Sequence, residues 1–117
     1  MKVVACHLLA PADKDKDKLR QALEVLQFPN LWFDLSSLVH NCSPDTYPYL
    51  KAIEFIRLAK EIVGSEKLMF GTDMPSALKE DVYEHYVGYI DESPVFTEQE
   101  KEQIFYENAY EVYFANK

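Results

Sequence analysis

Glycine is scarce in this sequence, with three residues in 117. None of them follows the first apolar run, which continues Leu8-Leu9-Ala10-Pro11-Ala12-Asp13. The glycine-rich turn that cradles a phosphate at a helix N-terminus is therefore missing, which disfavours a small, independent doubly wound nucleotide-type domain. Basic charge is also short: 12 Lys and Arg against 20 Asp and Glu leave a net charge of −8. Nucleic acid and anionic membrane both need a basic footprint, so neither is expected as a partner. No apolar run approaches the roughly 20 residues of a membrane helix. The opening Met1-Lys2-Val3-Val4-Ala5-Cys6-His7 is too short in apolar residues for a secretion signal. The two cysteines, Cys6 and Cys42, are then expected as free thiols in a reducing cytoplasm.

What the chain does have is a hydrophobic share of 48%, with 8 Tyr, 7 Phe and 1 Trp. That composition fits one globular domain over residues 1–117. Three apolar runs read as strands: Val3–Cys6, Leu31–Leu35 and Leu68–Phe70. Because they are continuous runs, not alternations, they belong to a parallel sheet buried on both faces or closed into a barrel. Between them lie amphipathic helices. The first follows the charged run Asp13–Lys18 and places Leu19, Ala22, Leu23 and Leu26 on one face. The second, Leu50 to Val63, carries Ile53, Ile56, Ala59 and Val63 on one stripe and meets Gly64 at its C-terminus. The connector from Ser36 to Pro48 reads as a loop. After Pro75 a helix is predicted from Leu78 to Ile90, and Thr97-Glu98-Gln99-Glu100 reads as a capping box that opens a last helix. Two consecutive right-handed βαβ units result.

In such units the C-terminal strand ends share one mouth, where α/β folds keep their active sites. Here the strand ends carry His7, then Asp34 with Ser36, then Asp73. Alternation puts Asp73 with Gly71 and Met69, and His7 with Ala5 and Val3. Each residue also has a simpler reading. Asp73 could form an Asx turn or cap the next helix, His7 could be a satisfied histidine, and Asp34 and Ser36 could merely open a loop. His40 and His85 read as solvated. Trp32 and the C-terminal tyrosines read as core and interface residues.

Four motifs in order, ACHL (5–8), PNLWFDLSSL (29–38), VGSEKLMFGTDMP (63–75) and FYENAYEVY (105–113), resemble the C-terminal part of the amidohydrolase-related metal-dependent hydrolases and decarboxylases of the amidohydrolase superfamily. The resemblance implies a partial (β/α)8 TIM barrel, an α/β fold whose three parallel strands are the sixth to eighth, with flanking helices and a helical C-terminus. It implies that Asp73 is a ligand of a divalent metal, with zinc first in line, and also a catalytic group. His7 would be the catalytic proton-handling residue beside the metal, and Asn108 would be structural; Asp34 and Ser36 are expected to bind substrate from their place at the strand ends. The implied reaction is hydrolysis of C–N or C–O bonds, or decarboxylation of a small carboxylic acid.

The family's His-x-His strand and fifth-strand histidine are absent from these 117 residues, whereas a barrel takes about 200 or more. A catalytic zinc normally has three protein ligands. The chain alone is therefore expected to be inactive and to bind no metal. Both outer strands should have open edges and the barrel-facing side should be bare, which favours a homo-oligomer or docking with the missing N-terminal barrel half. The alternative is a non-catalytic oligomerising scaffold derived from such a barrel.

Overall fold

The computed structural model describes residues 1–9, 16–42, 45–79 and 81–114. Strands β1 (Val3–Ala5), β2 (Leu31–Asp34) and β3 (Leu68–Met69) form one parallel sheet in the order β1-β2-β3. Helix α1 (Lys16–Val25) connects the first pair of strands, and α2 (Leu38–Asn41) and α3 (Leu50–Val63) connect the second. Helix α4 (Tyr83–Asp91) follows. The C-terminal helix has three parts: α5 (Glu98–Glu102), a π-helical turn (Gln103–Glu107) and α6 (Asn108–Tyr113).

Each strand stops one residue short of its sequence reading, whereas α3 has the predicted bounds. Of the run Asp13–Lys18, the first three residues lie outside the described set, and Lys16 opens α1. The 36–48 connector contains the short helix α2, with residues 43 and 44 outside the described set. The helix predicted from Leu78 begins only at Tyr83. The Asp81 carboxylate accepts the Val82 backbone N–H at 2.8 Å, and Val82 is extended (φ −86°, ψ 155°), so the side chain ends the turn before it can propagate. The Thr97–Glu100 capping box is present in both directions, at 3.1 and 2.9 Å. The Thr97 backbone N–H holds the Glu100 carboxyl below its usual value.

Register determines the two faces of the sheet. Val3 aligns with Leu31, and Ala5 with Phe33 and Leu68, so these five share a face. Leu31, Phe33 and Leu68 join Leu19 and Leu23 of α1 and Ala52, Ile56 and Ala59 of α3 in the main core. Val4, Trp32, Asp34 and Met69 occupy the opposite face. That face is not bare as expected: Trp32 and Met69 are both buried, and the Lys67 ammonium lies 4.1 Å from the Trp32 ring centroid.

The outer edge of β3 is closed as well, against expectation. Met69 turns its carbonyl to the Leu35 N–H of the β2 side (2.8 Å), so Leu68 and Phe70 turn their polar groups outward. The C-terminal helix meets both: Ile104 O accepts the Phe70 N–H at 2.8 Å, and Asn108 Nδ2 donates to Leu68 O at 2.8 Å. Ile104 lies in the π-helical turn, where a distorted hydrogen-bond ladder helps its carbonyl reach outward. On β1, Val3 N–H donates to Asn30 O (2.8 Å), which leaves Val4 facing outward at the open edge. Amide hydrogen exchange followed by NMR should therefore find Phe70 protected, while Val4 exchanges at nearly the rate of an unstructured chain. Equal protection at the two positions would contradict this one-sided closure.

Candidate functional site at the strand ends

His7 is not on β1. It lies in the following 3-10 turn (Cys6–Leu9) with φ 58° and ψ 28°, a left-handed conformation that is uncommon for a non-glycine residue. Alternation would have left His7 on the helix-covered face with Ala5. The left-handed turn removes it from that face and carries it to the residues that follow β2. There Asp34 Oδ1 accepts the His7 backbone N–H at 3.0 Å, the Ser36 N–H at 3.1 Å and the Ser36 hydroxyl at 2.6 Å. In return, His7 Nδ1 lies 2.9 Å from Ser36 O and 2.8 Å from Ser36 Oγ. A carbonyl can only accept, so Nδ1 carries the proton in this arrangement and Nε2 keeps its lone pair.

Ser, His and Asp are thus in contact, yet not as a nucleophilic triad. A serine nucleophile gives its proton to the imidazole, whereas the Ser36 proton goes to Asp34. The exposed Cys6 thiol is no better nucleophile, because the neighbouring Asp34 charge, then desolvation, push it up from its usual value.

Asp73 lies beyond β3, exposed and again left-handed at φ 63°. Strand alternation therefore does not set its direction. Gly71 does more to place it: a Cβ there would lie 3.0 Å from Ser36 Cβ, so a larger residue would push segment 70–73 away from the serines by a few tenths of an ångström. That approach brings Asp73 Oδ2 within 2.6 Å of the Ser37 hydroxyl. The carboxylate is engaged across the mouth with the β2 side, which neither an Asx turn nor a helix cap would require. Sequence reasoning missed Ser37. The Ser36-Ser37 pair after a strand-end aspartate was the available signal, since one serine meets His7 and the other Asp73.

A cleft of about 230 Å³ opens beside Asp73, with Ser37, His40, Thr72, Lys79 and Tyr86 among its lining residues. His40 is exposed there on α2, not in a plain loop. Tyr89, also in the wall, is fully packed, and burial drives its phenol well above the usual value. His85 is not simply solvated. Its Nδ1 lies 2.8 Å from Asp81 Oδ1, and its ring stacks on Tyr47 at 4.1 Å. Of the C-terminal tyrosines, Tyr106, Tyr110 and Tyr113 are exposed. Asn108 is buried, donating to Ser65 O and Leu68 O, and is structural as the resemblance implied. Cys6 and Cys42 are both free thiols.

The family model described as Amidohydrolase matches residues 1–115. The chain belongs to the amidohydrolase family. Among solved structures, a Burkholderia multivorans amidohydrolase with bound HEPES superposes with TM-score 0.83 at 23% identity, over 96% of this chain and 44% of that one. A zinc-bound structure of a B. multivorans amidohydrolase gives 0.80 at 24% identity, over 96% and 43%. A putative 2-pyrone-4,6-dicarboxylic acid hydrolase from Pseudomonas putida gives 0.77 at 17%, over 96% and 42%. No curated protein matches. This amidohydrolase chain therefore spans less than half the length of the solved structures it matches, and its three strands are part of a TIM barrel.

Zinc occurs in one of these neighbours, so the donors available here matter. Among the described residues, no group of three or more His, Cys, Asp and Glu side chains could hold a metal ion. Asp73 offers a single carboxylate beyond β3, and Asp34 Oδ1 is already surrounded by three donors. On their own, the described residues do not make a metal centre. None of the described helices is long and apolar enough to cross a membrane.

Proposed function

We propose that this chain is the C-terminal segment of a metal-dependent TIM-barrel hydrolase and is inactive by itself. The complete site would act on a small molecule, by hydrolysis of a C–N or C–O bond or by decarboxylation of a small carboxylic acid. The observation that carries the reading is the joining of His7 and Asp73 to adjacent serines, with no group of three metal-ligating side chains among the described residues. In the complete site, Asp73 would contribute one carboxylate to a divalent metal, zinc as in one of the similar structures, which would supply Lewis acidity and an acidified water. This chain's own part is to hold the Asp73 carboxylate against Ser37, and to present His7 with Nδ1 protonated and Nε2 free to take up a proton. Asp34 and Ser36 hold His7 and would contact substrate in the complete site. The partner would be the N-terminal barrel half or a further copy of the chain, and the two free thiols suit the cytoplasm.

The test is to mix the chain with a barrel segment carrying His-x-His and to measure zinc by atomic absorption after gel filtration. We expect uptake near one equivalent per pair, and Asp73→Asn should reduce it by at least tenfold. No uptake in the mixture, or uptake indifferent to Asp73→Asn, would rule the reading out. A second reading, a non-catalytic oligomerising scaffold, draws on the missing third ligand. It requires that the assembled chain stay free of metal at Asp73 even when the His-x-His segment is supplied.

A further inference from the structure

We propose that Asp34 is a positioning residue that fixes the tautomer of His7 by taking the Ser36 hydroxyl proton away from the imidazole. Only the functional meaning of this inference rests on the reading of His7 as a proton-handling group; the geometry and its test do not. Ser36 has one hydroxyl proton, and at 2.6 Å it is committed to Asp34 Oδ1. Toward His7 the serine can then offer only acceptors, its carbonyl at 2.9 Å and its Oγ at 2.8 Å. Both acceptors meet Nδ1, so Nδ1–H is favoured and the lone pair is placed on Nε2. The same carboxylate oxygen accepts the His7 backbone N–H at 3.0 Å, which ties the left-handed turn that aims the ring. Asp34 thus controls His7 twice, through the backbone and through the proton it withholds. The arrangement follows the logic by which an outer partner decides which imidazole nitrogen does chemistry.

Without Asp34, the Ser36 hydroxyl is free to turn and donate to Nδ1 in competition with the Ser36 carbonyl, so the Nε2–H tautomer gains population. The experiment is long-range ¹H–¹⁵N NMR of the imidazoles of the full chain near pH 8, above the usual histidine range. The chain has three histidines, and loss of one set in His7→Gln assigns the signals. Wild type should show a pyrrole-like Nδ1 and a pyridine-like Nε2. Asp34→Asn keeps an acceptor for the hydroxyl, and Ser36→Ala keeps the carbonyl, so both should retain this pattern. Asp34→Ala should move the two signals toward each other as Nε2–H gains population, and Asp34→Ala/Ser36→Ala should restore the wild-type positions, because only the accepting carbonyl then remains at Nδ1. A purely structural role for Asp34 would not be rescued by removing Ser36. The proposal is overturned by an Nε2–H tautomer in wild type, by an unchanged pattern in Asp34→Ala, or by failure of the double variant to revert. If circular dichroism shows Asp34→Ala unfolded, Asp34→Leu, which likewise gives the Ser36 hydroxyl no acceptor, takes its place: signals that move and are restored by Ser36→Ala support the proposal, and unchanged signals overturn it.

Discussion

Replacing Phe33 with alanine should cost about 3–5 kcal/mol in urea unfolding, enough to consume much of a small domain's stability. Phe33 has 0% exposure and lies on the central strand, aligned with Ala5 on one side and Leu68 on the other. Its ring fills the space where the sheet meets α1 and α3, and strands of two to four residues cannot slide to close a hole that size. Phe33→Leu, which keeps most of the volume, should lose about 1.5 kcal/mol or less. The comparison separates packing from register. A loss below about 1 kcal/mol for Phe33→Ala would mean that the three strands are not held together through this core.

Asn108→Ala should be nearly as damaging, at about 2–4 kcal/mol, although it removes no large apolar surface. Asn108 is 4% exposed, and its Nδ2 donates at 2.7 Å to Ser65 O and at 2.8 Å to Leu68 O. Truncation takes the Asn108 donor from the Leu68 carbonyl and leaves the Ser65 carbonyl with the Leu68 backbone N–H alone, and a buried unpaired acceptor costs far more than a lost surface contact. Asn108→Asp adds a pH signature. An acceptor-only carboxylate would face two carbonyls, so its folded pKa is raised above the unfolded value and the protonated form is the one that fits. Stability is then retained below the unfolded pKa and lost as pH rises through the folded one. A flat pH profile relative to wild type would show that the side chain has turned away from the carbonyls.

The two substitutions also mark what could be read in advance. Phe33 stands in a run that announced a buried parallel strand, and Leu50–Val63 announced α3 with its bounds because one stripe repeats over four turns. These are local patterns, and local patterns survive folding when the core agrees with them. The site was legible only as a set of residue types. His7, Asp34, Ser36 and Asp73 were named from strand ends, but period-two alternation gave His7 and Asp73 the wrong geometry, because both lie past their strands in left-handed backbone. Ser37 escaped notice because its importance depends on how closely Gly71 lets a distant segment approach. The closure of the β3 edge was equally hidden. It joins residues some 35–40 positions apart through an irregular helical turn, and no hydrophobic period encodes it.

That closure also limits how copies of the chain could grow together. An open-ended filament of parallel sheets needs a donor edge and a different acceptor edge on every subunit. Here the C-terminal helix has taken one of the two, leaving the rim at Val4 as the open one among the described residues. Addition through that rim happens once per molecule and ends in a closed pair, whereas completing a barrel also requires the C-terminal helix to give up the β3 edge.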